Sequence, residues 1–287
     1  MGVPLSENLL TNRHETRKQW YRQLKDLLAS LEATPHRPVL DDTVQQRLGI
    51  RTLNSSTESE NVVDSEHDRY FTPDNLPISP CSPSFWEGPF TPAHKKLWPR
   101  PPCEPDLIND YYDGRHLADV ISDHLTKLRW KYPTRWHQTS PGDPERPGAR
   151  YVEHLGFEHP FLVPQVYDAF SKRKPHQILL MVSDHAVEEK ALLRSELLAM
   201  TSFMKWKMQS MRHRQILIYP VMVISIMNLF KLRVLQGYFN GTLNIHKSEV
   251  YDFAVEDHED AMNSVIAWLR STSHGDTTLS LHMPIPT

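Results

Sequence analysis

The residues able to do chemistry are scattered along this chain, and their spacing decides what each can do. His154 and His159 bracket the segment HLGFEH, and with Glu153 and Glu158 they offer nitrogen and oxygen donors to a divalent cation. A separation of five residues matches no standard metal site, and histidine is common here at 16 residues, so surface or partly buried histidines are expected. Asp184-His185 follows an apolar run, at the kind of strand end where α/β proteins place functional side chains. No nucleophile or second carboxylate accompanies it, so Asp184 is expected to cap a helix. The acidic group Glu256, Asp257, Glu259 and Asp260, with His258 inside it, reads as a charged first helical turn. The methionines between Lys205 and Met211 offer a soft binding face, but a core helix that tolerates methionine is the expectation. Cys81 and Cys103 have no neighbouring metal-ligand pattern and are expected to be free thiols.

The familiar catalytic patterns are missing. The sequence contains no glycine-rich phosphate loop, paired-cysteine metal signature, nucleophile elbow or kinase signature, and its 10 glycines leave little material for close backbone approach to phosphate. These features assign no catalytic residue, no cofactor and no metal. With a net charge of −3 the chain has no general field to hold a polyanion, so nothing points to nucleic acid. The longest apolar run, Ile216 to Met227, is shorter than the ~20 residues a bilayer needs and contains Pro220, so no membrane span is expected. Met1 to Arg17 is polar and lacks the apolar core of a secretory signal, which predicts an intracellular protein of cytoplasm or nucleus.

The elements that must position these residues are concentrated in the second half. Hydrophobic residues are only 39% of the chain, and prolines crowd between Pro73 and Pro175 whereas Ile178 to Leu269 contains only Pro220. Trp20, Leu24, Leu27, Leu28 and Leu31 recur at helical spacing, with Arg13, Arg17, Lys18, Arg22 and Lys25 as a basic complement. This N-terminal amphipathic helix offers a surface for a protein partner, although packing on its own protein is the commoner outcome. Val44, Leu48 and Ile50 suggest another helical turn or two. Thr52 to Pro105 is rich in Ser, Glu, Asp and Pro without period and is expected to be largely disordered. Within it the Ser-Pro and Thr-Pro pairs at Thr72, Ser79, Ser82 and Thr91 are open to phosphorylation, and Phe85, Trp86, Phe90 and Trp98 suggest partial docking on the domain.

Asp113-Gly114 precedes a helical pattern of Leu117, Val120, Ile121, Leu125 and Leu128, and Thr139 to Gly148 reads as a polar loop. Val163 to Lys174, with Pro164 near its start and three basic residues at its end, reads as a short helix. Ile178 to Val182 is a buried strand, closed by Ser183 and Asp184 as caps of a long helix that carries Leu193, Leu197, Met200, Met204, Met208 and Met211. Val221 to Met227 is a second buried strand. Leu232 to Phe239 and Thr242 to Lys247 flank Asn240-Gly241, a two-residue hairpin signal, and Met262, Val265, Ile266 and Leu269 mark a C-terminal helix.

Two resemblances follow. A helix bearing Glu196, then a strand, a hairpin and a second helix, resembles the core of restriction-endonuclease-like nucleases. That family sets an acid on the second strand and a Glu/Asp-x-Lys on the third to hold Mg²⁺. Here Lys247 would be the lysine, but Ile245 stands in the place of the acid and Leu232 to Phe239 has no carboxylate. The resemblance therefore implies a topology without the usual active site. Separately, Tyr219 to Phe253, with PVMVISIM and RVLQGYFNGTLNIHKSEVYDF, resembles a segment of uncharacterised filamentous-fungal proteins, some encoded beside biosynthetic gene clusters. That resemblance implies a lineage and a genomic setting and no mechanism.

The expected fold is an α+β or mixed α/β domain with a small sheet, a central hairpin and flanking helices. Its expected divisions are an amphipathic segment at 1–51, a disordered linker at 52–105, a helix and polar loop at 106–150 and the domain proper at 151–287. The expected function is a non-enzymatic accessory or regulatory protein, associated with fungal secondary metabolism. The alternative is a degenerate nuclease-fold domain or a divergent enzyme with an unrecognised site.

Overall fold

A computed structural model describes residues 5–34, 38–54, 69–75, 106–131, 134–139, 161–171, 173–183, 185, 191–209, 216–227, 231–253 and 259–278. In chain order the elements are α1 (Leu5–Glu32), β1 (Val39–Leu40), α2 (Asp42–Arg47), β2 (Ile50–Asn54), β3 (Phe71–Thr72), α3 (Asp106–Lys131), β4 (Trp136–Thr139) and β5 (Phe161–Ala169). They continue with β6 (Gln177–Ser183), β7 (Leu192–Leu193), α4 (Arg194–Gln209), β8 (Val221–Met227), β9 (Lys231–Phe239), β10 (Leu243–Asp252), α5 (Glu259–Leu269) and β11 (Thr272–Ser273).

The apolar runs of β6 and β8 are buried at all seven positions of each strand, as central strands covered on both faces must be. They lie parallel, joined through α4, at the middle of a seven-stranded mixed sheet of order β2-β10-β9-β8-β6-β5-β4. The other pairings are antiparallel except β2 with β10. Because side chains alternate along a strand, each sheet face has its own core. Leu179, Met181, Val221, Val223 and Leu235 pack with α1, α2 and α4, and Ile178, Leu180, Met222, Ile224 and Val234 pack with α3 and α5. The chain thus has the expected α+β class, with a larger sheet than the pattern suggested.

The helical periods account for the faces. In α1 the residues Leu24, Leu27, Leu28 and Leu31 are buried while Lys18, Arg22, Lys25 and Asp26 are exposed, so the amphipathic helix packs on its own protein. Each such leucine contributes about 1.5–3 kcal/mol relative to an exposed one. In α2, Asp41 caps the helix by accepting the Val44 N–H at 2.9 Å, and Gln45 links the helix to both Leu40 O and Thr52 Oγ1. No helix among the described residues is long and apolar enough to cross a membrane.

Several expectations are corrected. The stretch 161–169 is strand β5 and not a helix. Its burial alternates, and a bulge between Leu162 and Gln165 takes Pro164, which has no N–H for the ladder. Asp113-Gly114 does not start a helix, since α3 runs through it from Asp106; a Cβ at Gly114 would meet Val182 Cγ1 at 2.7 Å, so the glycine marks close helix–sheet approach. Ser183 ends β6 and does not cap α4, which begins at Arg194 after the short strand β7. Within the tract expected to be disordered, Thr52 to Asn54 pair in β2 and Phe71 to Thr72 in β3, where Tyr70 and Phe71 supply a buried aromatic anchor. Residues 55–68 and 76–105, with Cys81, Cys103, Ser79, Ser82, Thr91, Phe85, Trp86, Phe90 and Trp98, lie outside the described residues.

The hairpin between β9 and β10 is present, but its turn differs. Phe239 pairs with Leu243, which leaves Asn240, Gly241 and Thr242 as a three-residue loop with a left-handed Gly241 at φ +102°. Asn244 braces it, donating to Asn240 Oδ1 and to Thr242 O at 3.0 Å each. A Cβ at Gly241 would also approach Trp20 Nε1 of α1 at 3.3 Å. Gly241→Val should therefore lower stability by about 1–3 kcal/mol, the usual cost of a β-branched residue forced to positive φ. Urea unfolding of the full chain checks this, and an unchanged midpoint would contradict the turn.

Candidate functional site

Functional side chains in open sheets gather beyond the carboxyl ends of parallel strands, and here that position lies between β6 and the start of α4. Pro38, Phe161, Ser183, His185, Leu193 and Arg194 help to line a cavity there of about 10 Å³, room for a single water. Ser183 Oγ and Ser195 Oγ are 3.4 Å apart, and the backbone N–H of His185 reaches Ser183 Oγ at 3.4 Å. Arg194 faces away from reaction chemistry: its Nε donates to Leu31 O at 2.6 Å, and its backbone N–H donates to Pro38 O at 2.8 Å. The arrangement ties the end of α1 and the start of α4 together.

The residue after Ser195 belongs to a buried ion pair. Glu196, in the first turn of α4, and Arg233, in β9, are both fully buried and meet in a bidentate pair. Arg233 Nε donates to Oε1 at 2.9 Å and Nη2 to Oε2 at 2.6 Å. Oε2 also accepts the Leu193 N–H at 2.8 Å, a third-position glutamate reaching back to the residue before the helix. The remaining arm of the guanidinium, Nη1, donates to Ala191 O at 2.7 Å. Both carboxylate oxygens and all three guanidinium nitrogens are thus bonded.

Comparison with family models, curated proteins and solved structures gives no match. The chemistry must be read from the side chains themselves. In the nuclease-like arrangement Glu196 would be free to bind a cation, whereas here its oxygens are engaged by Arg233 and Leu193. Ile245, in the place of the missing acid, is a fully buried core residue facing the same helices, and Lys247 lies two positions along that face of β10. Among the described residues no group of three or more His, Cys, Asp or Glu side chains could hold a metal ion.

The other sequence-marked residues separate. Met200, Met204 and Met208 of α4 are buried in the core, as expected of a core helix. Glu259 and Asp260 form the exposed first turn of α5. Glu153, His154, Glu158, His159, Asp184, Met211, Glu256, Asp257 and His258 lie outside the described residues. Arg233 went unnoticed in the sequence, although a lone arginine on an inward position of an apolar strand demands a buried partner.

At the opposite end of β6 lies a second cluster of titratable groups. His176 is buried against the rings of Tyr70 and Phe71, at 6.0 and 5.3 Å between centroids, and burial depresses its pKa to about 3. His274, also depressed chiefly by desolvation, meets Thr72 Oγ1 at 2.7 Å through Nε2. Elsewhere burial raises the Tyr219 phenol to about 12.

Removing one partner of the buried pair should be far worse than removing both. Glu196→Leu or Arg233→Met alone should cost about 3–5 kcal/mol, whereas the two together should cost clearly less than the sum of the single losses. Urea titrations of the four proteins provide the cycle. Single losses below about 1 kcal/mol would mean that the pair is not the buried, fully bonded unit described.

Proposed function

We propose that this chain is a non-enzymatic accessory or regulatory protein that acts inside the cell by binding other proteins. The observation that carries this reading is the bonding of Glu196. Among the described residues, the buried carboxylate beside the carboxyl ends of β6 and β8, Glu196, is spent on Arg233 and on the Leu193 N–H, and the adjoining cavity holds about 10 Å³. A catalytic carboxylate needs an open coordination or proton-transfer position, and neither oxygen of Glu196 offers one in a well-bonded pair.

The partner surface is the exposed face of α1. Its leucines are committed to the core, so a partner meets a mixed charged face, Lys18, Arg22 and Lys25 with Glu15, Asp26 and Glu32, and a surface of complementary charge pattern is the match. The resemblance of Tyr219 to Phe253 to fungal proteins encoded near biosynthetic gene clusters supports a role in secondary metabolism. In the structure that segment is β8, β9 and β10, a structural core and not an exposed site.

The purified full chain, incubated with DNA or RNA and Mg²⁺ or Mn²⁺, should leave the nucleic acid intact. Cleavage that disappears in Lys247→Ala would overturn this reading in favour of a degenerate nuclease fold that has kept activity.

A further inference from the structure

Residues 69–75 cross the structure as a strap held at several points. β3 pairs with β11 at Phe71–Ser273 and Thr72–Thr272, His274 donates its N–H to Tyr70 O at 3.0 Å, and Asp74 donates its N–H to Ala267 O at 3.0 Å. Phe71 stacks on Trp136 of β4 at 5.9 Å, and Tyr70 packs on Tyr238 of β9 at 5.0 Å. His176 sits under this strap, between Tyr70 and Phe71, and its Nε2 donates to His274 O at 2.8 Å. The carbonyl partner fixes the neutral tautomer with its proton on Nε2. Nδ1 is then buried with no hydrogen-bond partner.

A proton added to Nδ1 would place a charged N–H in a site where no described residue accepts it, which is costly in a low-dielectric interior. The titratable and charged groups around it do not compensate. Lys174, ahead of β6, and His274, beyond β11, both oppose positive charge on the ring. Tyr70 presents a ring from the strap, and Tyr238 of β9 lies behind it with His246 of β10 stacked beyond. Arg135, ahead of β4, donates to Thr272 Oγ1, and the strap's own carboxylate, Asp74, is paired with Arg270 at 3.2 Å.

The geometry points to an acid-released latch: protonation of His176 frees the 69–75 strap from β11 and uncovers the aromatic surface of Phe71, Trp136 and Tyr238. The closed state binds this proton only near pH 3, whereas an opened imidazole binds it near its ordinary 6.5. Opening is therefore insensitive to pH above 6.5 and rises roughly tenfold per pH unit between 6.5 and 3 for the proton that His176 takes up, with His274, itself depressed, adding to the slope. The rest of the sheet carries no part of this switch and stays closed over the same range.

Hydrogen exchange of the full chain, corrected for the intrinsic pH dependence of exchange, reads the latch directly. Between pH 7 and pH 4.5, protection of 69–75 and 271–275 should fall on the order of 100-fold while that of β8 and β9 is kept. His176→Gln, which keeps a donor for His274 O but cannot take the proton, should flatten the dependence. An unchanged strap, a loss that persists in His176→Gln, or simultaneous loss in β8 and β9 would each overturn the latch. Should His176→Gln not fold, the imidazole resonances of the unaltered protein decide. A neutral His176 at pH 5.5 supports the latch, and titration near 6.5 with the strap still protected defeats it.

Discussion

The fold is organised around the buried contact between Glu196 and Arg233. Taking two charges from water costs several kcal/mol for each ion, so the pair is tolerable only because every polar atom of it is bonded. That requirement propagates. The carboxylate holds the N–H of Leu193, and the guanidinium holds the carbonyl of Ala191, so the chain entering α4 is fixed to β9. Leu193 in turn pairs with Val39, and the Arg194 N–H reaches Pro38 O, which brings the exit from α1 to the same point.

The same contact specifies register. A slip of one residue in β9 would turn Arg233 from the α4 face of the sheet to the α3 and α5 face, where the core cluster is formed by apolar and aromatic side chains. The penalty for a misplaced guanidinium far exceeds that for a misplaced valine, so one charged residue discriminates between pairings that apolar residues alone leave close in energy. At the opposite end of β6 the fold solves the burial of an ionisable group the other way. His176 has no counter-ion among the described residues, and burial holds its pKa down at about 3, so the ring is neutral in the closed structure.

Much of this was legible in the chain. Continuous apolar runs gave β6 and β8, Asn240-Gly241 gave the hairpin, and helical spacing gave α1, α4 and α5. What escaped had a common cause, because short elements carry too few residues for a period. β1, β7, β3 and β11 are two residues each and exist only through their partners, and β4 is a four-residue edge. β5 was misread because Pro164 suits a helix start as well as a strand bulge, and only the pairing with β6 decides between them. Of the site, Glu196 was visible as a residue, but not its partner 37 positions away.

The division between committed and uncommitted surface bears on how such a protein could act. The leucine stripe of α1 is already used against α4, and the acid at the sheet's functional end is already neutralised. What α1 leaves exposed is charge of both signs: Lys18, Arg22 and Lys25 stand outward together with Glu15, Asp26 and Glu32. Association through such a face is governed by complementary potential, which favours rapid encounter and weakens as salt rises, since the Debye length shrinks to about 8 Å at physiological ionic strength. Tyr70 and Phe71 are buried while the strap is in place. The fold therefore keeps the leucines of α1 and the rings of Tyr70 and Phe71 inside, while the charges of α1 face outward.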